Sequence, residues 1–287
     1  MMTPPSGADT AHASSAPTMM TVGAVGPWWT RLDRRSTVLL LAVETLLILA
    51  VWQFAIAGLE LVNPVFLPPP TEIAGGFATL FSRADIMAHV TITLTAWSVG
   101  FGLAALAGVA IGVTVGGSLP VERLAAPVLW TIYATPWLAY RPLSVIWFGF
   151  GTAPIIFLVF IAALFPVLFN TAAGVRTVDR SLLQASDVFG ISRWRRYRHI
   201  LLPSALPFVF VGLRQSAVMA TIALIVAETT GSSIGLGALI SILTTRYQTE
   251  QTFALVVIAV MWTVTVTQTI RFIGRRAAPW QTDARSV

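Results

Sequence analysis

The segment LLQASDVFGISRWRRYRHILLP, residues 182–203, places four arginines and a histidine between two strongly apolar stretches of chain. Leu182, Ala185 and Phe189 recur at the spacing of one helix face. Gly190 follows, where a helix commonly ends in the left-handed conformation, and Ser192 is a favoured N-cap for a second helix. The segment therefore predicts a compact knob of two short helices joined by a glycine turn.

The second predicted helix of the knob carries Trp194, Tyr197 and Leu201 on one face. Pro203 is expected to end this helix, because the residue before a proline disfavours the helical conformation. Two interpretations of the knob remain open from the residues alone. Its arginines only fix the topology of a membrane protein, or its apolar faces are covered, either by the chain's own transmembrane helices or by a partner.

The composition is that of a membrane protein. The chain has 287 residues, of which 10% are charged, and a mean hydropathy of +0.79; soluble domains are about 25% charged. The net charge of +6 comes with no lysine at all, and the arginines gather between apolar runs. That pattern is typical of charge kept on one side of a bilayer and argues against nucleic acid as a partner.

The sequence lacks the residue groupings that catalysis or metal binding usually requires, namely clustered histidines, paired carboxylates or cysteines. There is no cysteine, and His12, His89 and His199 are far apart in the chain. Without lysine there is also no phosphate-binding loop of the usual kind. We therefore expect no catalytic residues, no metal site and no cofactor in this chain, and energy for any transport has to come from a partner.

A helix that crosses a membrane needs about 20 apolar residues, and six apolar segments in the chain have roughly this length. The predicted fold is thus an all-α polytopic membrane protein, with a membrane domain at residues 37–275 between cytoplasmic tails at 1–36, expected to be disordered, and 276–287. The stretch 143–151 either extends the third span or forms a re-entrant turn. The spans are 37–58, 89–115, 124–140, 152–170, 207–227 and 252–273.

The arginines orient these spans. With the N-terminus inside, 14 of the 18 basic residues lie on the cytoplasmic side, three lie outside and Arg214 lies within the fifth span. Loops rich in arginine stay in the cytoplasm. The chain is therefore predicted to lie in the cell membrane, with both termini and the knob on the cytoplasmic side.

Two shorter patterns complete the predicted architecture. Between the first two spans, Thr71 is a plausible N-cap for a short helix on the outer membrane surface. In the second span Gly108, Gly112 and Gly116 are spaced four apart, which permits close helix approach within the subunit or across a dimer.

Three charged residues at or near membrane depth are candidates for a translocation path, because a charge there is costly and calls for a reason. Glu44 either lines a path or is neutral or paired at a helix interface. Glu228 either caps the following glycine-rich turn through backbone N–H groups or faces the path. Arg141 either attracts an anion at the outer mouth or extends to the interface beside aromatic residues.

The knob resembles the EAA loop of bacterial ATP-binding-cassette importer permeases, which has a Glu-Ala-Ala triplet, a glycine four residues later and a terminal Ile-x-Leu-Pro. The resemblance continues through LSVIWFGFG, FPVLFNTAAGVRTVD, LPSALPFVFVGLR and ALIVAETTGSSIGLGALI and covers roughly residues 40–275. These blocks are similar to the permease branch that serves nitrate, aliphatic sulfonates, taurine and thiamine-precursor pyrimidines.

This resemblance implies a type I importer permease whose coupling loop, about residues 171–206, fits a cleft on a separate ATPase. It further implies two copies of the ATPase, which bind the ATP and magnesium, a second permease copy and an extracytoplasmic solute-binding protein. The expected cargo is a small anionic or heterocyclic solute. Gln184 stands where the family usually has Glu, which puts an ion pair with the ATPase in doubt, and Asp187 is a candidate substitute. The coupling residues that the resemblance implies are Gln184, Ala185, Ser186, Asp187, Gly190, Ile200 and Pro203.

The alternative function is an ion-driven secondary transporter. Such proteins usually carry several acids within the membrane or internal inverted repeats. Only Glu44 is deeply placed in this sequence, and no repeat of one half in the other is evident. The permease is therefore the preferred interpretation.

Overall fold

The computed structural model describes residues 34–279, which fold almost entirely into helices. The predicted tails at 1–36 and 276–287 lie mostly outside these residues. The α-helices are α1 Arg34–Gln53, α2 Pro70–Phe81, α3 Ile86–Gly116, α4 Leu119–Ala134, α5 Arg141–Phe148, α6 Thr152–Arg176, α7 Arg180–Val188, α8 Arg193–Arg196, α9 Leu202–Thr229, α10 Leu236–Thr245 and α11 Thr249–Ala277.

Five helical segments in the described part of the chain are long and apolar enough to cross a membrane. They contain the predicted first, second, fourth, fifth and sixth spans, and each extends beyond the residues predicted from the sequence at one end or both. The five segments are Ser36–Gly58, Ile86–Gly116, Thr152–Arg176, Arg193–Thr229 and Thr249–Ala277.

The core consists of α3, α6 and α9. Gly108 and Gly112 of α3 lie directly against α6, because a Cβ on Gly108 would come within 2.8 Å of Val167 and one on Gly112 within 2.7 Å of the Leu168 carbonyl oxygen. These contacts advance in the same direction along both helices, so α3 and α6 are parallel. The glycine pattern thus serves packing within the subunit, one of the two predicted uses.

Helix α9 runs antiparallel to α6. Gly174 packs on Phe208 near the end of α6, while the Ser216 hydroxyl donates to the Ala163 carbonyl oxygen near its middle. The ends of α3 and α6 and the beginning of α9 therefore lie on one side of the core. The knob is attached on this side.

The continuous helix predicted over residues 124–140 is wrong. Helix α4 ends at Ala134, Thr135 is extended with φ −75° and ψ 125°, and a 3₁₀ turn over Trp137–Tyr140 follows. Pro136 explains the break, since proline pushes the residue before it out of the helical region. The third span is thus divided, and six spans stay a prediction.

The undecided stretch 143–151 is helical in its first part. Helix α5 ends at Phe148, and Gly149 and Gly151 both have positive φ, at 75° and 120°. The tight turn between α5 and α6 uses these left-handed conformations, which glycine adopts without steric cost.

Helix α2 forms as predicted, but the prediction that Thr71 caps it is wrong. The N-cap is Pro69, and Pro70 begins the helix. The backbone N–H of Thr71 donates instead to Gln53 Oε1 at 3.2 Å, and its hydroxyl accepts from Gln53 Nε2 at 3.1 Å. The apolar face of α2 packs with α10 and α11.

Candidate functional site

The first helix of the knob is α7, and a side chain fixes its start. Asp179 is the N-cap, and its Oδ1 accepts from the backbone N–H of Ser181 at 2.8 Å. This hydrogen bond stabilises the carboxylate, so the pKa of Asp179 is below its ordinary value. The charge also suits the positive end of the helix dipole.

The turn between the two knob helices is a Schellman motif. Gly190 has φ +62°, its N–H donates to the Asp187 carbonyl oxygen at 3.1 Å, and the Ile191 N–H donates to the Ser186 carbonyl oxygen at 2.9 Å. These two bonds satisfy carbonyl groups at the helix end that would otherwise lack partners. The predicted glycine turn is confirmed, and it depends on the conformation of Gly190 rather than on space, since a Cβ there would contact nothing within 4 Å.

The two knob helices are also tied by side chains. Ser192 caps the second helix as predicted, accepting from the Arg195 N–H at 3.5 Å. Arg196 forms an ion pair with Asp187 on α7. Asp187, the candidate substitute for the missing glutamate, is thus already bonded within the knob, while Gln184 is exposed.

The prediction that Pro203 ends the second helix is wrong. After α8 the chain makes a π-helical turn over Tyr197–Leu201, in which the Leu202 N–H donates to the Tyr197 carbonyl oxygen, and α9 continues from Leu202. This wider turn carries the helix past the proline, whose ring would clash with a carbonyl oxygen one regular turn earlier. One uninterrupted helical segment therefore runs from the knob at Arg193 to Thr229.

The knob is attached to the core by apolar packing. Leu201 and Ala205 are buried with Val113 of α3 and Val175 of α6, and Ile200 packs against this cluster. Ser186 is also buried, and Ala185 is half-buried. The inner side of the knob is thus held between the ends of α3 and α6.

The outer side of the knob presents large apolar side chains that nothing in the described chain covers. Val188 is 84% exposed, Phe189 80% and Trp194 72%. We call these three residues the knob surface. Exposed aromatic residues clustered on a rigid turn are typical of a protein interaction site.

At the opposite end of the core, Glu228 is fully buried in a hydrogen-bonded site. Its carboxylate accepts from the Thr93 hydroxyl at 2.8 Å and from the Gly237 N–H at 2.8 Å. Thr93 in turn accepts from the Leu236 N–H at 2.8 Å, and His89 Nδ1 accepts from the Gly235 N–H at 3.0 Å. These bonds join α3, α9 and the start of α10. The bond from the Gly237 N–H to Glu228 is the arrangement expected if Glu228 caps the glycine-rich turn.

Arg141 reaches the same end of α9. Its guanidinium donates to the Ala227 carbonyl oxygen and to the Thr230 hydroxyl. A cation is favourable beside the free carbonyl groups of a helix C-terminus. The structure thus places Arg141 and Glu228 around one helix end. Glu44 lies apart from them in sequence on α1, where its side chain is exposed.

A groove of about 790 Å³ opens on one side of the core, between α4, α6 and α9. It lies in the size range of pockets for small organic ligands. Its walls are mostly apolar and partly aromatic, and its polar groups include the amides of Asn170 and Gln215 and the hydroxyls of Tyr133 and Thr135. The lining residues are Trp130, Ile132, Tyr133, Thr135, Pro136, Trp137, Ile161, Ala162, Phe165, Pro166, Phe169, Asn170, Gln215, Val218 and Met219.

Sequence reasoning missed this groove, because it weighed only charged residues at membrane depth. Asn170 and Gln215, both amides within apolar helices, were the available signal. They meet in the structure, where Asn170 Nδ2 donates to Gln215 Oε1 at 2.9 Å. The two amides are 45 residues apart in the chain, and neither helix alone indicated that they would be neighbours.

Comparison with known proteins identifies a family over most of the membrane domain. Residues 100–280 match the model of the family described as binding-protein-dependent transport system inner membrane component. This match spans the groove, the knob and Glu228, whereas the α3 residues Thr93 and His89 of the Glu228 site precede it.

Two curated relatives cover most of their own length. A Bacillus subtilis permease protein named for aliphatic sulfonates transport is 33% identical over 82% of this chain and 84% of its own. The riboflavin transport system permease protein RibX of Chloroflexus aurantiacus is 32% identical over 84% of this chain and 90% of its own.

A solved structure shares the fold. The crystal structure of an amino acid ABC transporter contains a chain that is 21% identical, with a TM-score of 0.54, and the match covers 70% of this chain and 95% of that one.

Proposed function

We propose that an ATPase subunit moves this chain through the knob. The chain belongs to the family of binding-protein-dependent transport system inner membrane components. It is a multi-pass transmembrane permease subunit of an ATP-binding-cassette importer. The permease family named from the knob residues is confirmed, and in this family an ATPase and a solute-binding protein are the partners.

The knob formed by α7, α8 and the π-helical turn is proposed to be the part held by the ATPase subunit. The observation that carries this is the uncovered apolar knob surface on a turn whose own hydrogen bonds are complete. A turn that needed only positive charge for topology would gain nothing from exposing Phe189 and Trp194 to water. A cleft on a partner would remove these side chains from water.

The helix that leaves the knob supports a route for the motion. Because the chain stays helical from Arg193 to Thr229, a displacement of the knob moves the whole of α9. At its far end α9 is fixed by Glu228 and Arg141. We therefore assign these two residues a bracing role, and Glu44, Arg141 and Glu228 remain only predicted as residues of the translocation path.

The parallel direction of α3 and α6 supports six spans with cytoplasmic termini. Both helices end on the knob side, so residues 117–151 have to return across the same thickness. The 16 residues of α4 and the four of the 3₁₀ turn give about 32 Å in line, close to the about 30 Å of the hydrocarbon layer. We propose this divided segment as the third span.

The stoichiometry follows from the same proposal. One chain offers one knob, so a second permease copy and two ATPase subunits make a symmetric importer, in which the ATPases bind ATP and magnesium. Gln184, Ala185, Ser186, Asp187, Gly190, Ile200 and Pro203 are proposed as the coupling residues. Of these, Ile200 and Ser186 act from the buried side, while Gln184 faces outward without a charge.

The names of the relatives support a small organic cargo. One relative is named for aliphatic sulfonates, which are anions, and the other for riboflavin, a planar heterocycle. We propose a small anionic or heterocyclic solute, handed over by an extracytoplasmic binding protein.

A pair of matched substitutions tests the knob. We expect Phe189→Asp to abolish co-purification of the ATPase and cargo uptake, because the charge would have to enter an apolar cleft, while membrane insertion persists. Phe150→Asp is the control, since Phe150 is 93% exposed but follows α5 at the opposite end of α6. Unchanged ATPase co-purification with Phe189→Asp, or its loss with Phe150→Asp, would refute the proposal.

A further inference from the structure

The groove between α4, α6 and α9 has a stacked aromatic wall. Trp130 lies over Phe169 with ring centroids 4.4 Å apart and planes 18° apart, and Tyr133 meets the edge of Phe169 at 5.3 Å. Trp130 is 55% exposed and Tyr133 50%, so their rings are open to the groove. The planes of Trp130 and Tyr133 are 73° apart, so the flat surface offered to another planar ring is the face of Trp130, on which such a ring stacks in an offset arrangement.

A pair of amides lies beside this wall. Asn170 Nδ2 donates both to the Pro166 carbonyl oxygen at 2.8 Å and to Gln215 Oε1 at 2.9 Å. These bonds occupy the donor of Asn170 and the acceptor of Gln215. Within residues 34–279 the acceptor Asn170 Oδ1 and the donor Gln215 Nε2 have no hydrogen-bond partner. The pair therefore leaves one acceptor and one donor available to a ligand in the groove.

None of the described residues that line the groove is charged. Arg214 is next to Gln215 in the chain, but its Nε points back along α9 to the Phe210 carbonyl oxygen at 3.4 Å. An anion entering the groove would lose water without meeting a cation, which is strongly unfavourable. A neutral solute carries no charge to desolvate and so avoids this penalty.

We propose that the groove is a binding subsite for a neutral planar heteroaromatic solute with an amide-type edge, such as a lactam or an imide. The ring stacks on Trp130 and meets Tyr133 edge to face, because the planes of these two side chains lie 73° apart. Its N–H donates to Asn170 Oδ1 and its adjacent carbonyl oxygen accepts from Gln215 Nε2. This assignment rests on the proposed permease function, and within that function it selects the heterocyclic cargo class over the anionic one.

The test uses the full chain, co-purified with its ATPase subunit in lipid nanodiscs, and lumiflavin as the probe. Lumiflavin is planar, neutral and fluorescent, and it carries an imide N–H. We expect its emission to be quenched on binding. The 3-methyl derivative, which lacks the N–H, is expected to bind about tenfold more weakly, the effect of one lost hydrogen bond.

Substitutions place the probe in the groove. Gln215→Leu and Trp130→Ala are each expected to weaken lumiflavin binding about tenfold, whereas Trp147→Ala, the matched control on α5 outside the groove, leaves it unchanged. Thermal unfolding of each variant separates lost binding from lost folding. Variants that keep the wild-type unfolding temperature and lose the probe support the subsite.

Several results would overturn it. Equal binding of lumiflavin and its 3-methyl derivative, displacement of lumiflavin by methanesulfonate at similar concentrations, or groove substitutions that change only the association of two permease copies would each do so. Co-purification of the ATPase is measured on the same samples. If it persists while probe binding fails, the subsite is wrong and the coupling role of the knob still stands.

Discussion

At the scale of single residues, Gly190 has the conformation on which the knob depends. Glycine adopts its φ of +62° without steric strain, whereas this conformation costs an L-residue with a Cβ roughly 1–2 kcal/mol. Because a Cβ would meet nothing within 4 Å, the cost is one of backbone conformation alone. This residue could be predicted from sequence, since a glycine at that place after an amphipathic run has one common explanation.

We expect Gly190→Ala to weaken ATP-dependent uptake by roughly tenfold, because about 1 kcal/mol or slightly more is lost from the turn geometry that presents the knob surface. Asn tolerates the left-handed region better than Ala, so Gly190→Asn should retain more activity despite its larger side chain. The measurement is cargo uptake in proteoliposomes. Lower activity for Asn than for Ala would show that size, and not conformation, matters at this position.

Two other residues show where sequence reasoning reaches its limit. Glu228 was identifiable as a cap of the glycine-rich turn, but its Thr93 partner lies 135 residues away and could not be inferred. Pro203 was expected to stop a helix, because the rule for prolines assumes regular turns. The π-helical turn before it removes the clash, and local sequence gives no sign of such a turn.

At the scale of helices, the close contact of α3 with α6 sets the core. The small residues of α3 let the two backbones approach, which supplies much of the attraction between helices in lipid. Five of the six predicted spans fall within helices long and apolar enough to cross a membrane, since length and apolar composition are direct consequences of the bilayer. The sequence could not predict which helix the glycines of α3 would meet.

We expect Gly112→Ala to lower the thermal unfolding temperature, because the added Cβ would lie 2.7 Å from both the Leu168 carbonyl oxygen and Thr171 Cβ. Overpacking of this kind costs typically about 1–3 kcal/mol. Gly102→Ala is the matched control on the same helix, where a Cβ meets nothing within 4 Å. Equal unfolding temperatures for the two variants in nanodiscs would contradict the proposed packing.

At the scale of the whole molecule, the two ends of the core differ in structure and in proposed role. The knob end exposes apolar side chains on a rigid turn, and the Glu228 end is closed by buried hydrogen bonds. Helix α9 connects the knob to the Glu228 end of the core. A displacement of the knob is therefore opposed by the hydrogen bonds of Glu228. The groove lies beside α9 between these two ends. The interrupted α4 forms one wall of that groove and is a place where such a displacement can change its shape.

The chain has no cysteine, so a single introduced one is unique and reports its own surroundings. The most direct measurement is thiol cross-linking of Phe189→Cys in the assembled importer, beside Phe150→Cys on the opposite side. The account predicts that position 189 cross-links to the ATPase subunit and position 150 does not. Cross-linking of the ATPase at position 150, or none at position 189 in an importer that still hydrolyses ATP, would contradict it.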